Sequence, residues 1–379
     1  MHIETFELER NQSLYENRVR FNLTESGIHP YTLRELLTEE QQQAVLDLRL
    51  GYGQTNGDPG LRAAIAAYYP GCNEDNVIVT NGSAEANFVA FWSLLEPGDE
   101  VAMMLPNYQL LYGLTRSFGC SVKPFHLREA SLWAPDLDEL ESSLSEKTRV
   151  IALCNPNNPT GSVLSADDMQ RIVELARRYD CYILSDEIYA GSELDGNETP
   201  TFMGLYEKTI VASGLAKSLA HPGLRIGWLA GPREVIDQAW HHHDYTSIST
   251  GIVSQYVAQV ILEPGKRQQV LERGRALLRR NVPVVEQWVA QYGGGFRFIP
   301  PKAGGMAFIG YDLAINSSEL VERLRLEKDV LVVAGDWFGM DHFLRLGIGG
   351  DTEELVEGIS LLDGFLKQLQ ADGVQRLSA

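Results

Sequence analysis

Basic character is what this sequence most conspicuously lacks. Its 379 residues carry 32 Lys and Arg against 51 Asp and Glu, a formal net charge of −19. Nucleic acids and anionic membrane surfaces both select basic faces, so neither is an expected partner. Cysteine is scarce, and Cys72, Cys120, Cys154 and Cys181 stand far apart with no Cys-x-x-Cys pair. Each lies in or beside an apolar stretch, so they read as small buried hydrophobes rather than disulfide partners or metal ligands. Long apolar runs are missing too; none approaches the roughly 18 residues that a membrane-spanning helix needs. The opening MHIETFELER alternates charges and has no apolar core of the kind a signal peptide carries. Together these absences predict a cytoplasmic chain with no membrane partner. The string GYGQTNG (51–57) is not a dinucleotide fingerprint, because its glycines are wrongly spaced and no strand–turn–helix context surrounds it. His241, His242 and His243 are adjacent in sequence, and adjacent side chains do not converge on one ion, so no metal site is expected.

Hydrophobic residues make up 44% of the chain and charged ones 22%, values of an ordinary globular protein. The length exceeds the roughly 250–300 residues at which a single core stops growing, which predicts two domains. From about residue 60, short apolar runs alternate with longer amphipathic ones. VIVT (77–80), EVAMML (100–105), RVIALC (149–154), CYILSD (181–186), TIVASG (209–214) and IGWLAG (226–231) read as strands; AEANFVAFWSLL (84–95) and ADDMQRIVELARRY (166–179) read as helices. Such alternation implies crossover units and a largely parallel sheet. Val and Ile on both faces of the short runs fit strands covered by helices on both sides. Met103 and Met104 fall at core positions. After residue 263 a long charged helical stretch can bridge two lobes, and short strands and two helices follow it. The expected fold class is α/β: a three-layer α/β/α large domain with a mostly parallel sheet over 46–285, and a smaller α+β domain from 1–45 and 286–379.

In open α/β sheets ligands bind beyond the carboxyl ends of the strands. Gly82, Ser83 and Ala84 follow VIVT and open a helix, where backbone N–H groups and a hydroxyl make an anion site; a plain Ser cap is the alternative. NPNNPTG (155–161) follows RVIALC and brings Asn158 to a strand end. In ILSDEIY (183–189), Asp186 and Tyr189 sit at the tip of an apolar strand, where an acid is costly without a cationic partner such as a protonated ring nitrogen. Lys217 lies just past TIVASG, with Arg225 eight residues later. A Lys partly withdrawn from water beside cations has a depressed pKa and becomes a nucleophile.

NPNNPTG, SDEIY and SGLAKSLAHPGLRIGW, in this order and spacing, resemble the class I/II aminotransferases of fold type I among the pyridoxal-phosphate enzymes. The resemblance runs from about Tyr52 to Arg345. It implies a pyridoxal 5′-phosphate cofactor held as a Schiff base on Lys217, which then shuttles the reaction's proton. It also implies Asp186 on the pyridine nitrogen, Tyr189 and Asn158 on the phenolic oxygen, Tyr108 on the ring face, and Gly82, Ser83, Ala84 and Arg225 on the phosphate. Arg345 matches the arginine that grips the substrate α-carboxylate, and Asn158 faces substrate as well. Tyr52 matches the tyrosine that reaches the neighbouring subunit's phosphate, which implies a homodimer with shared active sites. Amino acids and 2-oxo acids are the implied substrates. A lyase, an elimination or replacement enzyme, a cyclase or an oxidase using the same cofactor site is the alternative. Gly214 stands where members usually carry a hydroxyl that contacts phosphate, and Ala216 where Ser is common; Ser213 or Ser218 is expected to compensate. Ser26 and Gly27 occupy the place of an N-terminal segment that lines the substrate pocket. Tyr245, with Thr246 and Ser247, is expected to help form that pocket across the dimer.

Overall fold

The computed structural model describes residues 3–377. Its centre is an eight-stranded sheet in the order Val77–Thr80, Gly227–Ala230, Thr209–Gly214, Tyr182–Asp186, Thr148–Cys154, Glu100–Leu105, Ser121–Arg128 and Ala134–Pro135. The expectation of strands buried on both sides holds, and the residues explain it. Along Thr148–Cys154, Ile151 and Leu153 join a core with Met169, Ile172 and Val173 of the helix Ala166–Tyr179. Val150 and Ala152 point the other way, into a core with Val89 and Phe91 of Ser83–Leu94 and Ile236 of Arg233–His243. Successive strand residues face opposite sides, so an uninterrupted apolar strand is stable only when helices cover both faces. Each fully buried Ile, Leu or Val contributes about 1.5–3 kcal/mol relative to exposure. Met103 and Met104 are both buried, on opposite faces.

One strand departs from the expected parallel series. Gly227–Ala230 runs antiparallel to both Thr209–Gly214 and Val77–Thr80. The connection between them, residues 215–226, carries only the short helical turn Pro222–Leu224 and no helix of the kind that usually carries a parallel crossover over a sheet face.

The 27-residue helix Pro264–Ala290 leads out of this body. Beyond it lies a four-stranded antiparallel sheet, Phe296–Phe298, Met306–Tyr311, Phe343–Gly347 and Val333–Ala334, packed with the helices Ser317–Lys328 and Thr352–Ala371. The first 45 residues divide their contacts. Phe21–Asn22 pairs with Val330–Leu331 beside the smaller sheet. Leu36 and Leu37 pack with Leu61, Val79 and Trp228, and Leu8 packs with Phe125 and Leu153. The segment between these anchors, Leu23–Ile28, joins the smaller sheet to the Lys217 loop: the Leu23 N–H donates to the Leu331 carbonyl and the Ile28 N–H to the Lys217 carbonyl. No helix among the described residues is long and apolar enough to cross a membrane.

Candidate active site

Four strand ends converge on one cavity of about 360 Å³. Asp186 closes the strand Tyr182–Asp186, Asn158 follows Thr148–Cys154, Ser83 follows Val77–Thr80, and Lys217 follows Thr209–Gly214. Ala84, Tyr108, Tyr189, Arg225, Ser26 and Arg345 share the same walls. The last two reach it from the N-terminal segment and from the smaller sheet.

Asp186 is only 8% exposed. It accepts hydrogen bonds from Asn87 Nδ2 at 2.8 Å and from the Ile188 N–H at 3.1 Å. These do not offset burial, which pushes its pKa up to about 6. An aspartate in that condition is a receptor for a cation that the protein itself does not supply. At the opposite wall, Tyr189 and Ser26 share a hydrogen bond of 2.8 Å, and burial pushes the Tyr189 phenol up to about 12. Arg345 is 2% exposed. It donates to Asn158 Oδ1 at 2.9 Å and to the Thr24 carbonyl at 2.7 Å, while its Nε has no partner.

Lys217 corrects one expectation. Its Nζ contacts Glu25 Oε1 at 2.6 Å. Burial lowers its pKa, but the charge of Glu25, the Tyr189 phenol and the Glu25 hydrogen bond together outweigh burial, and the pKa is raised rather than depressed. The depression was expected from neighbouring cations, whereas the nearest charge is a carboxylate contributed by a residue 192 positions away.

Gly82 precedes the first turn of Ser83–Leu94 at φ +85, and no side chain caps that helix. Its early N–H groups are therefore open to an anion, reinforced by the helix dipole. A Cβ on Gly82 would lie 2.3 Å from Arg225 Nη2, so glycine is what lets the guanidinium reach the helix start. Gly227 does the same from behind: its Cβ would fall 2.4 Å from the Ser83 nitrogen. Arg225 donates to the carbonyls of Pro222 and Asn81 and forms no ion pair among the described residues. A buried aspartate lacking a cation, an open helix start beside an unpaired guanidinium, and a lysine between them fit the ring nitrogen, the phosphate and the aldehyde of pyridoxal phosphate.

The comparisons with known proteins agree. Residues 21–362 match the family described as aminotransferase class I and II. The chain belongs to that family. It is 30% identical over 353 residues to capreomycidine synthase of Streptomyces vinaceus, spanning 91% of this chain and 89% of that protein. It is 28% identical to an aspartate aminotransferase of Thermotoga maritima, over 91% of each. The crystal structure of a PLP-dependent aminotransferase from Streptococcus suis superimposes with a TM-score of 0.90 at 31% identity, covering 97% of this chain and 99% of that one. The protein is accordingly a pyridoxal-phosphate-dependent aminotransferase of fold type I, acting on amino acids and 2-oxo acids.

Several residues of this aminotransferase lie elsewhere than expected. Ser213 and Ser218 do not compensate for Gly214: their hydroxyls go to the carbonyls of Glu187 and Ile188, and neither lines the cavity. Gly214 has a local cause, because a Cβ there would meet the Ile226 carbonyl oxygen at 2.7 Å. Gly27 does not line the cavity; its N–H donates to Glu25 Oε1, and a Cβ there would meet the Ala216 carbonyl oxygen at 2.9 Å. Tyr52 and Tyr245, expected to act across a dimer, are 89% and 83% exposed and lie outside this chain's own cavity, which does not contradict that expectation. Ser247 bonds Glu85 and Asn81, and Thr246 bonds the His243 carbonyl. His242 stacks on Trp92 while the buried His243 faces Glu85. Sequence reasoning missed Asn87 and the carboxylates Glu9, Glu16 and Glu25 of the cavity wall. Asn87 was findable, as the lone amide in the apolar helix AEANFVAFW one turn after Ser83.

Proposed function

We propose that Lys217 carries the cofactor and moves the proton of the transamination, in a homodimer whose two sites are completed across the interface. The observation that carries this reading is Asp186, a buried carboxylate without a cationic partner in the same cavity as Lys217. Pyridoxal phosphate supplies an aldehyde to capture the amine and a ring that accepts the electrons released at Cα. Asp186, held by Asn87, would keep the ring nitrogen protonated. Tyr189 and Asn158 would hydrogen-bond the phenolic oxygen, Tyr108 would cover the ring face, and Ser83, Ala84 and Arg225 would hold the phosphate in the space that Gly82 leaves. The Lys217 amine would hold the cofactor and serve as the base for the substrate's proton, with Glu25 orienting it. Arg345 has unused N–H donors and the planar fork that a carboxylate fits, so it would bind the substrate α-carboxylate, with Asn158 holding its guanidinium in place. Ser26 positions Tyr189, and Gly27 lets that segment pack on the Lys217 loop. Tyr52 and Tyr245 project outward and would serve the partner's site. We further infer a cytoplasmic enzyme, divided into a large domain over 46–285 and a small one from the remaining segments.

The absorption spectrum of the purified protein tests the centre of this reading. The native protein should show the visible band of lysine-bound cofactor, and Lys217→Ala should lack it. One amino acid should bleach the band and a 2-oxo acid should restore it. Ammonia released without an acceptor would instead assign a lyase or cyclase reaction to the same site.

A further inference from the structure

The part of the cavity wall contributed by the N-terminal segment is anionic. Glu9, Gln12 and Glu16 recur at the spacing of one helical face on and just after Glu7–Tyr15, and all three line the cavity. Glu25 joins them from the segment that follows. Glu25 lines the cavity and keeps 46% of its side-chain exposure. Its one ion-pair partner among the described residues is Lys217, and Glu9 and Glu16 have none. Glu9 accepts a hydrogen bond from the Tyr108 hydroxyl. Burial and the neighbouring charges of Glu25 and Glu9 raise the Glu16 carboxyl above its usual range, so these groups feel one another.

On the reading proposed above, Lys217 is committed to the cofactor, Arg225 to its phosphate and Asp186 to its ring. Arg345 is then the one cation left for substrate. A second, independent feature points to a bound ligand: the Arg345 side chain is almost fully buried, lines the cavity, and leaves its Nε without a partner. An α-carboxylate satisfies Arg345, whereas Glu9 and Glu16 have no cationic partner among the described residues, and Glu25 loses its own once the Lys217 amine is committed to the cofactor. From this juxtaposition we infer that the preferred amino donor carries a cation on its side chain, an ammonium or a guanidinium, received by Glu9, Glu16 and Glu25. The inference rests on the aminotransferase site assigned above and adds the charge of the substrate side chain. The same wall repels a second carboxylate, so a dicarboxylic amino acid is disfavoured.

Single-turnover conversion of the loaded enzyme by arginine, lysine and ornithine is compared with citrulline, norleucine and aspartate. Arginine should exceed citrulline, its nearly isosteric neutral counterpart, by about tenfold or more in kcat/KM, and aspartate should be the poorest. Glu9→Gln and Glu16→Gln should each raise the KM for arginine several-fold, and by much more than the KM for citrulline. A binding measurement independent of turnover accompanies this: 6-aminohexanoate, which has no α-amine, should bind the holoenzyme about tenfold more tightly than hexanoate by calorimetry. Equal use of arginine and citrulline, equal binding of the two hexanoates, or a preference for aspartate overturns the inference while leaving the cofactor assignment intact. If no amino acid alters the cofactor band, the aminotransferase site assignment fails and this inference falls with it.

Discussion

A charge buried away from water is informative because its cost is large and its causes are few. Beside Asp186 stands a second such group. Glu187 is buried, accepts hydrogen bonds from the Thr201 hydroxyl at 3.0 Å and the Phe202 N–H at 3.1 Å, and burial pushes its pKa up to about 7. A carboxyl whose folded-state pKa exceeds its unfolded value contributes stability that is complete below the unfolded value, near 4.5, and is lost as pH rises towards 7. Gln at this position keeps an acceptor for both donors and never ionises. Glu187→Gln should therefore match the wild type near pH 5 and melt higher at pH 8, by at most about 3 kcal/mol at ~1.4 kcal/mol per pKa unit. Thermal melts of both proteins across that range check it. Asp186 differs in that the partner proposed for it is the cofactor: Asp186→Asn should weaken cofactor binding and slow proton transfer by about two orders of magnitude or more, read as loss of the visible band and in single-turnover rates. Asp186 was legible in SDEIY as an acid at the end of an apolar strand, whereas Glu187 beside it was not singled out. What the motif could not disclose was that Asn87, 99 residues away, would be the one side chain to hold Asp186.

Elements place these residues through close backbone approach, and glycine marks where that approach is tightest. Gly227 presses the antiparallel strand Gly227–Ala230 against the start of Ser83–Leu94, and Gly214 lets the neighbouring strand pass the Ile226 carbonyl. Gly227→Ala should push the helix start out of line, lowering cofactor affinity together with stability by about 1–3 kcal/mol, as an overpacked core does. Gly214→Ser, which restores a hydroxyl at the position where relatives carry one, should destabilise the protein rather than tighten the cofactor. Equilibrium dialysis of the cofactor and denaturant melts distinguish the two outcomes. The partly exposed strands Ser121–Arg128 and Ala134–Pro135 leave no apolar run and were not read, whereas burial on both faces leaves one, and there strand spans were legible from periodicity. The direction of Gly227–Ala230 was not, since direction depends on the length and route of the connection rather than on the strand's own residues.

At the scale of the whole molecule, the exposed apolar side chains have a pattern. Leu46, Leu50 and Tyr52 project from one segment and Tyr245 and Ile248 from another, all well exposed in the single chain. A homodimer that covers them is the arrangement in which Tyr52 serves the partner's phosphate site. Sedimentation should then give twice the monomer mass, and Tyr52→Phe should weaken cofactor binding about tenfold while the dimer persists. A monomer with native cofactor affinity contradicts this. By itself the sequence determined the family, the cofactor and the order of the motifs, because each strand-end residue is tied to its own short strand and turn, and such local units carry their chemistry in contiguous residues. Only the tertiary structure decided what surrounds them. It brought Glu25 onto Lys217 and reversed the expected pKa shift, diverted Ser213 and Ser218 to backbone carbonyls, and turned a charged N-terminal helix into the anionic wall of the substrate cavity. The physical reason is that electrostatic environment and cavity shape are sums over residues distant in sequence, and those sums exist only once the chain has folded.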